Sequence, residues 1–179
     1  VPDESAFSVA RRWFLAGRRI DMRELAAELG ISRATLFRRV GNRDRLLGEI
    51  LWSLTESVFG EEYRAGTGSG AELVAGTVSR FVLTVNAAEP FREFLRREPE
   101  RALRVLTTKA SVVQRRTIDT LAGVIQGEVD RGALVPPLPV RDLAYLVVRI
   151  AESFIYTDII TGEEPDAGKA HAAVTALLR

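Results

Sequence analysis

Five arginines, Arg33, Arg38, Arg39, Arg43 and Arg45, fall within thirteen residues, with Asp44 the sole acid among them. A guanidinium binds phosphate bidentately and reads the guanine edge in the major groove, so such a cluster suits a nucleic-acid duplex. Catalytic chemistry has little to work with. Cysteine is absent, which excludes disulfides, thiolate metal sites and cysteine nucleophiles. His171 is the single histidine, which argues against His-based metal sites and a Ser-His-Asp triad. Glu61-Glu62 and Glu163-Glu164 are adjacent pairs that point apart on a helix and read as solvated charge. The chain is therefore expected not to be an enzyme and to use no cofactor or metal.

The arginines lie in a chain of 179 residues, 46% hydrophobic and 27% charged, enough for a sizeable core in one large or two small domains. Its net charge of +1 conceals an asymmetry: residues 1–45 hold ten arginines against six acids, and the remainder is mildly acidic. Only the first part is thus expected to meet a polyanion. No apolar run approaches the roughly 20 residues of a membrane span and no signal-peptide pattern opens the chain, so a cytoplasmic location is expected. Opening on Val1, the sequence is expected to lack a natural N-terminal stretch.

The elements that must position the arginines are helices, since apolar residues recur with helical period and no alternation marks a sheet. Phe7, Ala10, Trp13 and Phe14 stripe a first helix from Asp3 or Glu4 to Ala16. Asp21, with Glu24 three residues on, opens a second in a capping-box arrangement. Ser32 opens a third that stops at Gly41, and Asn42 a fourth that reaches Tyr63. The segment Met22–Val40 has helix-turn-helix spacing: Ala26 where two helices cross, Gly30 for a turn needing positive φ, and Leu25, Leu29, Ile31 and Leu36 for the wedge between them. Arg33, Ala34, Thr35, Arg38 and Arg39 are left to face outward.

Further helices are expected from Ser69 to Asn86, around Phe91–Leu95, from Pro99 to Thr107, Thr108 to Arg131, Val140 to Thr161 and Asp166 to Leu178. The result is an all-α chain of nine or ten helices, divided into a basic helix-turn-helix, DNA-binding part at 1–45 and a helical body at 46–179. Within 140–161, Tyr145, Arg149, Glu152 and Tyr156 share one stripe of a helix that is otherwise apolar nearly all round. Arg149 and Glu152 form either the polar edge of a ligand cavity or a structural ion pair.

The helix-1 stripe, Leu25-Ala26, Gly30-Ile31-Ser32 and the run Thr35-Leu-Phe-Arg-Arg-Val-Gly-Asn-Arg-Asp-Arg-Leu46 resemble the TetR family of ligand-responsive repressors, over about residues 6–51. Arg-Ala-Thr-Leu-Phe-Arg and Leu-Leu-Gly-Glu-Ile-Leu-Trp look most similar to its QsdR-like subgroup. The resemblance implies base reading by Arg33, Thr35 and Arg38, with Phe37, Arg39 and Arg43 along the backbone and Asp21 serving as a cap. Where the family commonly has tyrosine, Phe37 cannot donate to a phosphate.

The resemblance also implies a homodimer on a palindromic double-stranded operator, with the last two long helices forming the dimer bundle. Val147, Phe154, Ile155, Val174, Leu177 and Leu178 are the expected interface. Trp52, Phe59, Phe81, Val85, Phe94 and Val113 are expected to line the cavity for a small-molecule effector, with Asn86, Gln126, Tyr145, Arg149 and Glu152 as polar candidates. The subgroup implies a lactone-type effector. An effector-independent architectural DNA binder is the alternative.

Overall fold

The computed structural model describes residues 4–179, with side chains from Ala6 onward. Eleven helices and no strand occur among the described residues: α1 Glu4–Leu15, α2 Met22–Glu28, α3 Arg33–Val40, α4 Arg43–Arg64, α5 Gly70–Ala87, α6 Glu89–Arg97, α7 Pro99–Thr107, α8 Val113–Asp130, α9 Val140–Ile155, α10 Thr157–Ile160 and α11 Ala167–Leu178. The fold is all-α, as the helical periodicity requires. None of these helices is long and apolar enough to cross a membrane.

Two helix boundaries depart from the expected ones, both at hydroxyl side chains. The helix expected from Thr108 starts at Val113. Thr108 Oγ1 accepts from Ala110 N at 3.1 Å and Ser111 Oγ from Val113 N at 3.2 Å, while the Ser111 hydroxyl donates to Val105 O. Side chains that satisfy backbone groups locally compete with helix formation. The helix expected to run to Thr161 breaks at Tyr156, where Thr157 donates back to Ser153 O and Thr161 to Thr157 O. That break makes eleven helices of the nine or ten expected.

The chain divides into two compact units, Val1–Leu54 with Glu89–Gln114, and Thr55–Ala88 with Arg115–Arg179. In the first unit α6 and α7 are tied to the N-terminal helices. Phe94 packs edge-on against Phe14 at 5.7 Å, and Arg97 donates to Gly17 O at 2.7 Å. Asp44 of α4 pairs with Arg101 at 3.0 Å and with Arg104.

In the second unit α5, α9 and α11 pack together. Val74, Val78 and Val82 of α5, Leu143 and Val147 of α9, and Ala170 and Val174 of α11 are all buried. Ser79 Oγ donates to Ala167 O at 2.9 Å and fixes the entry to α11. The start of α5 is capped from a distance. Ser69 makes no side-chain cap bond; the Gly70 N–H instead donates to Oε2 of buried Glu128 at 2.7 Å. Burial alone would push the Glu128 carboxyl up, but the Gly70 N–H and the Arg131 guanidinium outweigh it and hold it below the usual range.

Candidate nucleic-acid interface

Local capping sets the two helices of the helix-turn-helix. Asp21 Oδ1 accepts from Arg23 N at 2.7 Å and Glu24 N at 3.1 Å, and those donations, Glu24's first, hold its carboxyl below the usual range. The reciprocal half of the capping box is replaced: the Glu24 carboxylate pairs with Arg18 at 2.9 Å. Between the helices Gly30 takes φ +63°, and Ile31 N donates to Ala26 O at 3.0 Å. Leu25, Ala26, Leu36 and Val40 are buried beneath them, with Leu29 and Ile31 half-buried.

Burying Leu36 and Val40 turns the rest of α3 outward. Arg33, Ala34, Phe37, Arg38 and Arg39 are exposed, Phe37 at 49%. Ser32 Oγ caps the helix by accepting from Thr35 N at 3.1 Å and lies 3.0 Å from Thr35 Oγ1. The Thr35 hydroxyl is thus already engaged within the head, and a base contact from it must share that bond or use the methyl group.

Arg43, expected along the DNA backbone, is held within the chain. Its side chain is 14% exposed; Nε donates to Ile20 O at 2.6 Å, and Nη1 and Nη2 grip the Glu98 carboxylate at 2.6 and 2.5 Å. Sequence reasoning missed Glu98, which lies 55 positions away and carries no local signal beyond preceding Pro99.

The expected effector residues fall into both units. Trp52, Phe94 and Val113 belong to the first, where Phe94 is core packing for Phe14. Phe59, Phe81, Val85, Asn86, Gln126, Tyr145, Arg149 and Glu152 belong to the second. Phe59 and Phe81 meet edge-on at 5.9 Å. Asn86 Nδ2 donates to Phe154 O at 3.2 Å, leaving its buried Oδ1 without a partner. Gln126 and Tyr145 are exposed; Gln126 Nε2 donates along α8 to Asp130 Oδ1 at 2.7 Å.

The α9 stripe changes character along its length. Tyr145 and Arg149 are exposed, whereas Glu152 and Tyr156 are buried. Arg149 and Glu152 form an ion pair at 2.5 Å. Burial pushes the Glu152 carboxyl up to about 7, with Arg149 pulling it partly back. A carboxyl whose folded pKa exceeds its unfolded value contributes stability below the unfolded value, and that stability is lost as pH rises through about 7. Glu152→Gln should remove this loss and stabilise the protein above pH 7 by up to roughly 3 kcal/mol, since the half-exposed Arg149 partner is worth little. Thermal unfolding at pH 5 and pH 8 checks this; an equal pH dependence in both proteins would refute it.

Of the expected dimer residues, Val147, Ile155, Val174 and Leu178 are buried within the single chain, because the packing of α5, α9 and α11 takes up their face. Phe154 and Leu177 are half-buried. The outward face of α9 carries Tyr145, Leu146 and Arg149, with Ile150 half-buried beside them.

A capped helix-turn-helix with an arginine-bearing second helix turned to solvent, within an all-helical chain, defines a helix-turn-helix transcriptional regulator. A family model described as the tetracyclin repressor-like C-terminal domain matches residues 69–179. Among solved structures, the R. erythropolis transcriptional repressor QsdR of the TetR family is similar at TM-score 0.90 and 30% identity, covering 97% of this chain and 92% of that one. The TetR family repressor AlkX from Dietzia sp. strain DQ12-45-1b, implicated in biodegradation of n-alkanes, is similar in fold at TM-score 0.67 and 23% identity, covering 97% and 93%. No curated protein matches the chain. The chain belongs to the TetR family.

Proposed function

We propose that the chain is a homodimeric repressor that reads a palindromic operator with one α3 per half-site, in successive major grooves, and is released by a small effector. The observation that carries this reading is the solvent-facing surface of α3, where Arg33, Arg38 and Arg39 stand exposed over a buried Leu36 and Val40. Arg33, Arg38 and Thr35 read bases; Arg39 and Phe37 lie along phosphates. Residues 1–45 serve as the reading domain and the rest as the effector and dimer domain. Repression as the output is carried over from the similar QsdR, itself a transcriptional repressor.

Two partners dock through the outward faces of α9 and α11, using Tyr145, Leu146, Ile150, Phe154 and Leu177, which the single chain leaves wholly or partly uncovered. An isologous contact of this kind is self-complementary about a two-fold axis and matches the symmetry of a palindrome. The effector, a lactone or another small apolar molecule, lodges in the second unit near Phe59, Phe81 and Val85, with Asn86 and Glu152 as polar contacts. It acts by binding more tightly to a dimer state in which the two α3 helices are out of register. Selection of bound duplex from a random pool, repeated with candidate lactones, tests the reading. Palindromes enriched without the lactone and lost with it are expected; a palindrome equally enriched in the presence of every effector tried would favour the architectural alternative.

A further inference from the structure

We infer that Glu98 acts as an internal stand-in for a DNA phosphate, holding Arg43 in the free protein and yielding it to the operator backbone on binding. The inference rests on the reading of α3 as the DNA-facing helix and concerns the cation that follows it in the chain. Arg43 opens α4 two residues beyond the Gly41 that ends α3. Each of its three nitrogens already donates within the chain: Nε goes to Ile20 O, one residue before the cap of α2, and the two terminal nitrogens grip Glu98. A planar fork that fits a carboxylate fits a phosphate equally well, so the two compete for the same donors.

Exchange is possible because Glu98 is not stranded when Arg43 leaves. Arg101 Nη1 already lies 2.7 Å from Glu98 Oε2, and Arg19 Nε lies 3.6 Å from Oε1 with most of its side chain in solvent. The neighbouring carboxylate, Asp44, is covered by Arg101 and Arg104. Around two carboxylates stand four guanidinium groups, Arg19, Arg43, Arg101 and Arg104. One cation can depart while both acids stay paired, which avoids the heavy cost of a lone buried charge. A cavity of about 20 Å³, room for one water, borders the pair, lined by Ile20, Leu47, Phe94 and the two charged groups among others.

The test is the salt dependence of binding to a selected duplex by the full chain. Arg43→Gln should make the plot of log affinity against log salt shallower by about 0.9, the contribution of one phosphate contact. Glu98→Gln should bind about tenfold or more tighter than the unaltered chain, because the fraction of free molecules with Arg43 available rises, and its slope should be unchanged. Combining both substitutions should abolish the gain. Should Glu98→Gln not fold, Glu98→Asp serves, since it keeps a carboxylate for Arg101 but withdraws it from Arg43. An unchanged slope in Arg43→Gln, or affinity unchanged or lowered in a folded Glu98 variant, would overturn the inference. Failure of the unaltered chain to bind any duplex would instead overturn the DNA-reading function itself.

Discussion

Gly70→Ala should cost about 3–5 kcal/mol of stability and lower the melting temperature by on the order of 10 °C. Two independent effects add at this position. The backbone sits at φ +59°, where an L side chain is strained by about 1–3 kcal/mol. A methyl group built there would also stand 2.2 Å from the carbonyl oxygen of Ala133, which is backbone and cannot swing aside as a side-chain tip would. The Ala133 segment is itself pinned, its N–H donating to Glu128 O at 2.9 Å. Any shift that relieves the clash must loosen the bond from Gly70 N to the Glu128 carboxylate, and leaving that carboxylate buried without its donor adds to the loss. Chemical or thermal unfolding checks this, and a loss below about 1 kcal/mol would contradict it.

The second large effect is on DNA. Replacing Arg33 and Arg38 together by alanine should weaken binding to the selected operator by about 2–6 kcal/mol, roughly 30-fold to 20,000-fold, at about 1–3 kcal/mol for each base-reading arginine. Both side chains are exposed, so the melting temperature should hardly move. Titration against single-base variants of the operator separates the roles. Loss of discrimination at particular base pairs is expected. A uniform loss across all sequences would make these arginines phosphate contacts instead.

The reading head was legible because its determinants are local. Asp21 and Ser32 each cap the helix that follows by accepting backbone N–H groups two or three residues on, which spacing alone reveals. Gly30, at the turn between α2 and α3, is equally local. What escaped sequence reasoning was decided at long range. Ser69 looks like a cap, yet the cap of α5 comes from Glu128, 58 residues away. Arg43 looks like a surface cation, yet its partner is 55 residues away. On α9 the apolar residues run nearly all round, so periodicity could not say which of Val147 and Leu146 faces the chain's own core. Packing against α5 and α11 decides that, burying Val147 and leaving Leu146 outside. The same packing explains why Val147, Ile155, Val174 and Leu178, expected at the dimer interface, are buried within the single chain.

The absence of cysteine offers a direct probe of the central claim, that α3 lies in the major groove of two successive half-sites. Ala34→Cys creates a unique, solvent-exposed attachment point in the first turn of α3, to which a DNA-cleaving iron chelate can be coupled. On a selected duplex, cleavage is predicted in two clusters about 10 base pairs, or a multiple of that, apart and symmetric about the palindrome centre. Cleavage spread evenly along the duplex, or confined to one position, would contradict the account.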